Sequence, residues 1–278
     1  MSLGPTLAEV LQQARALGVD RLDTQMLLST LLDRPRSWLL THDDTVLSPE
    51  QTERMSAWLA RRAAGEPLAY LVGEKEFHGL TLQVSPDVLV PRPDTETLVD
   101  WGLELLAGPL TPHTPPTVID LGTGSGAIAL AVKHRHPAAL VTALDASVPA
   151  LAVAEANALR LQLDISLLPS HWWQAVAGRR FHLALSNPPY IAGNDVHLAA
   201  LHHEPRSALT PEGDGLQCLR EIVREARAHL EPGGWLLLEH GYDQADAVTQ
   251  LLLAAGFSNV QTRTDLAGMP RCTGGCCV

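Results

Sequence analysis

The sequence is short of several things, and each shortage narrows what the chain can be. Its 278 residues contain no apolar run long enough to span a bilayer. The first ten residues lack a basic region followed by an apolar one, so they do not read as a secretory signal. A soluble, cytoplasmic protein with no membrane partner is expected. Basic residues are scarce, with 20 against 31 acidic ones and a formal net charge of −11. A surface of that sign repels phosphate backbones and argues against direct contact with nucleic acid, although a local basic patch is compatible with an acidic average. Cysteine is limited to four residues, and Cys272, Cys276 and Cys277 crowd the end of the sequence. Their spacing is not that of paired C-x-x-C ligands and no histidine follows, so they read as small apolar residues of a terminal strand rather than as a zinc site. Internal repeats and low-complexity segments are also missing.

What is present is a large apolar content, 46% of the residues, enough for a sizeable core in one large domain or a large and a small one. Helical periodicity over residues 6–17 puts Leu7, Val10, Leu11, Ala14 and Leu17 on one face. Residues 23–32 form a second apolar-rich stretch, stopped near Pro35. Ser48-Pro49-Glu50-Gln51 opens a third helix, with Ser48 as N-cap, Pro49 at the first helical position and Gln51 closing a capping box. That helix ends at Gly65. The expected organisation is a helical bundle over 1–74, a β-hairpin or linker over 75–90, and a catalytic domain over 91–278. Alternation over 76–84 supports the hairpin, and 108–116, rich in Pro and Thr, reads as a loop.

From residue 117 strands and helices alternate. Strands are predicted near 118–119, 140–144, 165–168, 181–185 and 235–238, with helices over 128–134, 148–161, 216–230 and 244–255 and two weak strands after Gly256. The pattern is that of an α/β fold, a mostly parallel Rossmann-like sheet with helices on both faces.

Chemistry concentrates at two strand ends. Asp120-Leu121-Gly122-Thr123-Gly124-Ser125-Gly126 follows the first of these strands and opens a helix. Glycines at alternate positions allow a sharp turn and close approach to a ligand, and the helix start offers free N–H donors. A dinucleotide fingerprint is G-x-G-x-x-G; here the spacing is G-x-G-x-G after an acid. Asp145 ends the next strand, where a carboxylate can accept both hydroxyls of a ribose or, alternatively, cap a helix. Asn187-Pro188-Pro189-Tyr190 follows the strand at 181–185. Two prolines donate no hydrogen bonds and hold the chain extended, leaving carbonyls and the Asn187 side chain as acceptors. That suits a planar NH2 group, gripped by its two protons with Tyr190 as a flanking ring.

Taken in order, Gly65-Glu66-Pro67-Leu68-Ala69-Tyr70-Leu71, Glu76-Phe77-His78-Gly79, Pro91-Arg92-Pro93-Asp94-Thr95-Glu96, the 120–126 loop, Ser186-Asn187-Pro188-Pro189-Tyr190-Ile191, Glu204-Pro205-Arg206-Ser207-Ala208-Leu209, Gly213-Asp214-Gly215-Leu216 and Glu239-His240-Gly241 resemble the peptide chain release factor N5-glutamine methyltransferases of the PrmC/HemK type. The resemblance covers nearly the whole length. It implies a class I S-adenosylmethionine-dependent methyltransferase sheet with an N-terminal helical substrate-recognition domain. It also implies methyl transfer from S-adenosyl-L-methionine to the side-chain amide nitrogen of the glutamine in the Gly-Gly-Gln motif of class-I release factors. On the same ground Gly122, Thr123, Gly124, Ser125, Gly126, Asp145, Trp172 and Asn187 would meet the cofactor, with Trp172 or its neighbour Trp173 against the adenine. Asn187, Pro188, Pro189 and Tyr190 would hold the glutamine. Arg92, Asp94 and Glu96 would cap a helix and close over the cofactor, and Glu204 and Arg206 would order the loop around the substrate. His203 stands where the family commonly has Phe.

The main alternative is an adenine amino methyltransferase acting on DNA or RNA, because an exocyclic amine is also a conjugated NH2. That reaction needs a flipped base and a basic groove, which an acidic chain with a small helical bundle does not suggest. A non-catalytic cofactor-binding scaffold is a further alternative, and it needs neither Asn187 nor the glycine loop. His197, His202 and His203 cluster in one loop, but their spacing is irregular and methyl transfer needs no metal.

Overall fold

The computed structural model describes residues 4–112 and 115–278, which divide into one unit ending at Glu74 and a second over Lys75–Val278. The first residues of the 1–10 stretch, and residues 113 and 114 of the expected 108–116 loop, lie outside the described residues.

In the first unit α1 (Leu7–Ala16) starts at Thr6, whose hydroxyl and Glu9 form a capping box. α2 (Arg21–Leu32) starts two residues before the periodic pattern does, because Asp20 accepts the Leu22 N–H as N-cap. α3 (Arg36–Leu39) and α5 (Leu68–Val72) are single turns, too short to carry a periodic signal. Between them α4 (Pro49–Ala63) has the Ser48–Gln51 capping box and N-terminal proline that its sequence predicts. Leu7, Val10, Leu27, Leu28, Met55 and Leu59 form the core of this unit. Leu17 departs from expectation: it is 53% exposed, since α1 ends at Ala16 and Gly18, at φ 77°, turns the chain so that Val19 enters the core instead.

The second unit opens with the hairpin of β1 (Glu74–Phe77) and β2 (Leu80–Gln83), turned at His78 and Gly79, both at positive φ. α6 (Glu96–Ala107) follows a single 3-10 turn. Then come β3 (Thr117–Leu121), α7 (Ala127–Arg135), β4 (Leu140–Asp145), α8 (Val148–Leu161), β5 (Ser166–Pro169) and β6 (Phe181–Ser186). The chain ends through α9 (Arg206–Leu209), α10 (Gln217–His229), β7 (Leu230–Glu239), α11 (Ala245–Ala254), β8 (Phe257–Thr264) and β9 (Pro270–Cys277).

The seven-stranded sheet has the order β5-β4-β3-β6-β7-β9-β8, parallel through β7, with β9 antiparallel to both β7 and β8. Leu183 and Leu185 of β6 point into a core shared with α6 and α7, while Ala184 points into one shared with α10 and α11. Helices therefore cover both faces, as the sequence predicts. β9 is a full strand despite its weak signal. A Cβ at Gly274 would lie 3.0 Å from the Trp101 ring and collide with Leu237, so glycine is what lets this strand pass beneath the helix. Cys272 and Cys277 are buried strand residues. From β3 the chain steps outward to β4 and β5, and from β6 outward in the opposite direction. The carboxyl ends of β3 and β6, paired through Leu121 and Ser186, flank the resulting switch point, where an open α/β sheet leaves a crevice.

Candidate active site

The loop leaving β3 is held by its own backbone. Gly122, Gly124 and Gly126 have φ of 77°, 56° and 86°, and the N–H groups of Gly122 and Thr123 both donate to the Leu144 carbonyl of β4. Asp120 Oδ2 accepts the Thr123 hydroxyl at 2.6 Å and the Ala129 N–H at 3.2 Å, tying the loop to the first turn of α7. Asp120 is fully buried, and its Oδ1 has no hydrogen-bond partner. Burial pushes its pKa up to about 7, against the pull of its two donors.

At the end of β4, Asp145 Oδ2 accepts the Gly124 N–H and Oδ1 the Ser147 N–H, each at 2.8 Å. Burial raises its pKa, and these N–H groups oppose the rise. The N-cap of α8 is Ser147, not Asp145, which removes the capping alternative for that carboxylate. The adjacent tryptophans part company. Trp173 is buried, with its indole N–H on the Ile222 carbonyl and its ring stacked on His229 at 4.9 Å. Trp172 takes a left-handed φ of 45°, and its N–H donates to Glu221. Its ring lies over Gly122, where a Cβ would be 3.4 Å from it.

A cavity of about 320 Å³ brings together Gly122, Thr123, Gly124, Ser125, Asp145, Trp172, Asn187 and Pro189. Three expected residues are not in its lining. Gly126 is the N-cap of α7, where a Cβ would come within 2.9 Å of Leu130. Pro188 is buried. The Tyr190 ring packs against the sheet core, its hydroxyl donates to Glu239 Oε1 at 3.2 Å, and its carbonyl accepts from Gln244 at 2.9 Å. Asn187 Nδ2 donates to Thr95 Oγ1 at 3.2 Å. Glu239 ends β7 and is 1% exposed; burial raises its pKa to about 7, while Thr95, Tyr190 and Arg271 act to lower it.

Neither Asp94 nor Glu96 caps α6, which has no side-chain cap. Asp94 pairs with Arg271 at 3.2 Å, and Glu96 accepts the His78 N–H at 3.0 Å. Arg92 does line the cavity, and it is ion-paired with Glu204, which also accepts the Val90 N–H. The buried Glu204 thereby ties the 204–209 segment to the chain before α6, and Pro205, Ser207 and Ala208 join the cavity wall. Arg206 makes an exposed two-pronged pair with Glu212. His197 is exposed on Asp195, and no group of three or more His, Cys, Asp or Glu residues suited to a metal stands together among the described residues. Thr95 escapes sequence reasoning as a site residue because its partner Asn187 is 92 positions away, and Glu204, expected to order the loop around the substrate, has its partner Arg92 112 positions away.

Family models match the chain at two places, a PrmC N-terminal domain over residues 6–73 and a methyltransferase small domain over 95–217. The release factor glutamine methyltransferase of Burkholderia pseudomallei is 48% identical, covering 98% of this chain and 97% of its own. That of Bordetella pertussis is 49% identical, over 93% and 95%. The chain belongs to the release factor glutamine methyltransferase family. It is a methyltransferase that uses S-adenosylmethionine. Among solved structures a Pyrococcus furiosus methyltransferase has a TM-score of 0.53 at 18% identity, with 81% of this chain and 98% of that one covered. A T. thermophilus 16S rRNA N2 G1207 methyltransferase, solved with AdoMet and guanosine, has a TM-score of 0.52 at 22% identity, with 73% and 49% covered. Both share the class I methyltransferase fold.

The cavity fits the cofactor in kind. Gly122 leaves no Cβ between the loop and the flat Trp172 ring, giving an aromatic wall for a purine. Asp145 supplies carboxylate oxygens at a strand end, the chemistry a ribose diol requires.

Proposed function

We propose that this enzyme methylates the side-chain amide nitrogen of the glutamine in the Gly-Gly-Gln motif of class-I release factors, with Asn187 and the Pro188 carbonyl as its catalytic groups and Tyr190, expected beside them, as a positioning residue behind the motif. The observation that carries the reading is Asn187 itself: it lines the same cavity as the glycine loop and Asp145, and its Nδ2 is already taken by Thr95. The carboxamide oxygen is then the end left for the substrate.

An amide nitrogen is a poor nucleophile because its lone pair is delocalised into the carbonyl. Asn187 Oδ1 and the Pro188 carbonyl would accept the two protons of the glutamine NH2, raising electron density on nitrogen and fixing the direction of attack. Pro189 in the cavity wall would bound the plane of the side chain, and Tyr190, with its ring against the sheet core and its hydroxyl on Glu239, would hold the motif from behind. Bound at the glycine loop, Asp145 and Trp172, S-adenosylmethionine would supply a methyl group activated by a sulfonium. Alignment of this kind contributes several kcal/mol, on the order of 7–11 at its upper end. No side chain need act as base before transfer, since the proton can leave to water afterwards. The unit ending at Glu74 would recognise the release factor away from the reacting glutamine. Direct nucleic-acid contact is not part of the reading. A cytoplasmic site of action fits this substrate, and no helix among the described residues is long and apolar enough to cross a membrane.

The test is methyl transfer from labelled S-adenosylmethionine to purified release factor, beside its Gly-Gly-Gln glutamine-to-alanine mutant and duplex DNA. Label on the wild-type factor alone is expected. Label on DNA, or equally on the mutant, overturns the reading.

A further inference from the structure

Trp172 is the flat wall of the cavity, and its backbone and its ring are held separately. A left-handed φ of 45° is costly for a bulky residue, so the turn that carries it must be tied from outside. Ser170 does this. Its N–H donates to the Asp145 carbonyl at the end of β4, and its hydroxyl donates to the Trp172 carbonyl at 2.8 Å and accepts the Ala175 N–H at 3.0 Å. These bonds fix the backbone at Trp172 and leave the ring free to turn about its two side-chain torsions.

The ring is fixed from α10. Indole has one N–H donor and no acceptor, so a single partner settles which edge points where. Nε1 donates to Glu221 Oε2 at 3.1 Å, while the far edge of the ring, Cζ3 and Cη2, is the part that lies over Gly122. The carboxylate is itself held, because Oε1 accepts from Gln217 Nε2 at 3.1 Å, one turn earlier on the helix. His171 Nε2 stands 3.9 Å from Oε2, too far for a hydrogen bond. Cys218 lines the cavity, so α10 passes close beside it, but Glu221 is not in the lining.

We propose that Glu221 is a positioning residue for the cofactor, acting through the Trp172 indole. The inference rests on the purine wall assigned to Trp172. A purine stacks to full advantage only on a ring that already stands in place. Without the Glu221 bond the ring must be ordered at each binding event, and that cost is taken from the affinity. Trp173 makes the contrast: its N–H is on the Ile222 backbone carbonyl, which no substitution at that position removes. Trp172 depends instead on which side chain stands at residue 221. The effect falls on cofactor binding rather than on turnover, since Glu221 reaches the site through the ring alone.

Two measurements on the full-length enzyme test this. The first is the indole N–H NMR signal of Trp172 without cofactor, identified by its loss in Trp172→Phe. In Glu221→Met, which keeps the length of the side chain and removes the acceptor, the signal should move upfield and exchange faster with water. In Glu221→Gln, whose carbonyl still accepts, it should stay near its wild-type position. The second is the Kd for S-adenosylmethionine, read by calorimetry. It should rise about tenfold in Glu221→Met and stay within about threefold of wild type in Glu221→Gln, with Trp172→Ala losing at least as much as Glu221→Met. KM for the cofactor should follow Kd, while kcat at saturation holds within about twofold. Wild-type affinity in Glu221→Met with weak binding in Trp172→Ala overturns the positioning role alone, as does an equal loss in Glu221→Met and Glu221→Gln. Wild-type affinity in Trp172→Ala overturns the purine wall on which the role stands. Should Glu221→Met not fold, Glu221→Ala takes its place in both measurements.

Discussion

Asp120 and Glu239 are acids held where water cannot reach them, and both carry an oxygen without a partner. Each has its pKa raised to about 7 by burial. Below about pH 3 they are protonated in folded and unfolded chains alike and cost nothing. As pH rises toward 7 the unfolded chain ionises first, so it binds fewer protons and stability falls. Each group withholds on the order of 3–4 kcal/mol from the fold at neutral pH, the size of a shift of two to three pKa units. Asp120→Asn is expected to flatten its share of the decline in melting temperature between pH 5 and 8. An Asp120→Asn curve parallel to wild type would refute the assignment. At this scale the sequence is legible in part. The glycine spacing and the acid after the second strand of the sheet point to residues that meet in one cavity. The choice between Trp172 and Trp173 is invisible, because two adjacent residues of one type differ only once the backbone turns left-handed at the first. The role of Tyr190 is likewise obscured, since nothing near it in sequence announces that its hydroxyl is spoken for by Glu239, 49 positions on.

Among the elements, the long ones announce themselves and the short ones do not. α8 occupies Val148–Leu161 as its periodicity predicts, and α4 begins at the proline its cap predicts. α3, α5 and α9 are each five residues or fewer and are specified by packing rather than by pattern. β9 is the instructive case, a strand expected only weakly. Its paired glycines weaken any strand signal, yet Gly274 is required by the approach of Trp101 from α6, whose ring also meets Trp235 edge-on at 6.2 Å. Gly274→Val should therefore cost about 3 kcal/mol or more, read as a lower midpoint in urea, because a Cβ there would lie 2.8 Å from the Leu236 carbonyl oxygen, a backbone atom that cannot swing aside, and against the buried Leu237 and Trp101 side chains. An unchanged midpoint would mean that the close approach is not what keeps this position a glycine.

At the scale of the whole molecule the formal charge of −11 is the dominant property the sequence declares without any structure. Opposite charge on a partner that itself binds RNA would steer encounter and leave the chemistry untouched. Raising ionic strength from about 50 to 200 mM is thus expected to lower kcat/KM for the release factor several-fold while kcat holds steady. Equal losses in both would place the salt effect at the site instead.

The position of β9 has one more consequence, in time rather than in space. A chain is made from its N-terminus, so β7 and β8 leave the ribosome before the strand that must slot between them. Until residues 270–277 arrive, β7 presents a bare edge and β8 has no neighbour to join, a state that invites pairing with other nascent chains. The same late strand delivers Arg271 to Asp94 and lays Cys272 opposite Glu239. The polar floor beneath the substrate motif is then among the last parts to be built, and a protein cut short before residue 270 would meet the chaperones before it ever met a release factor.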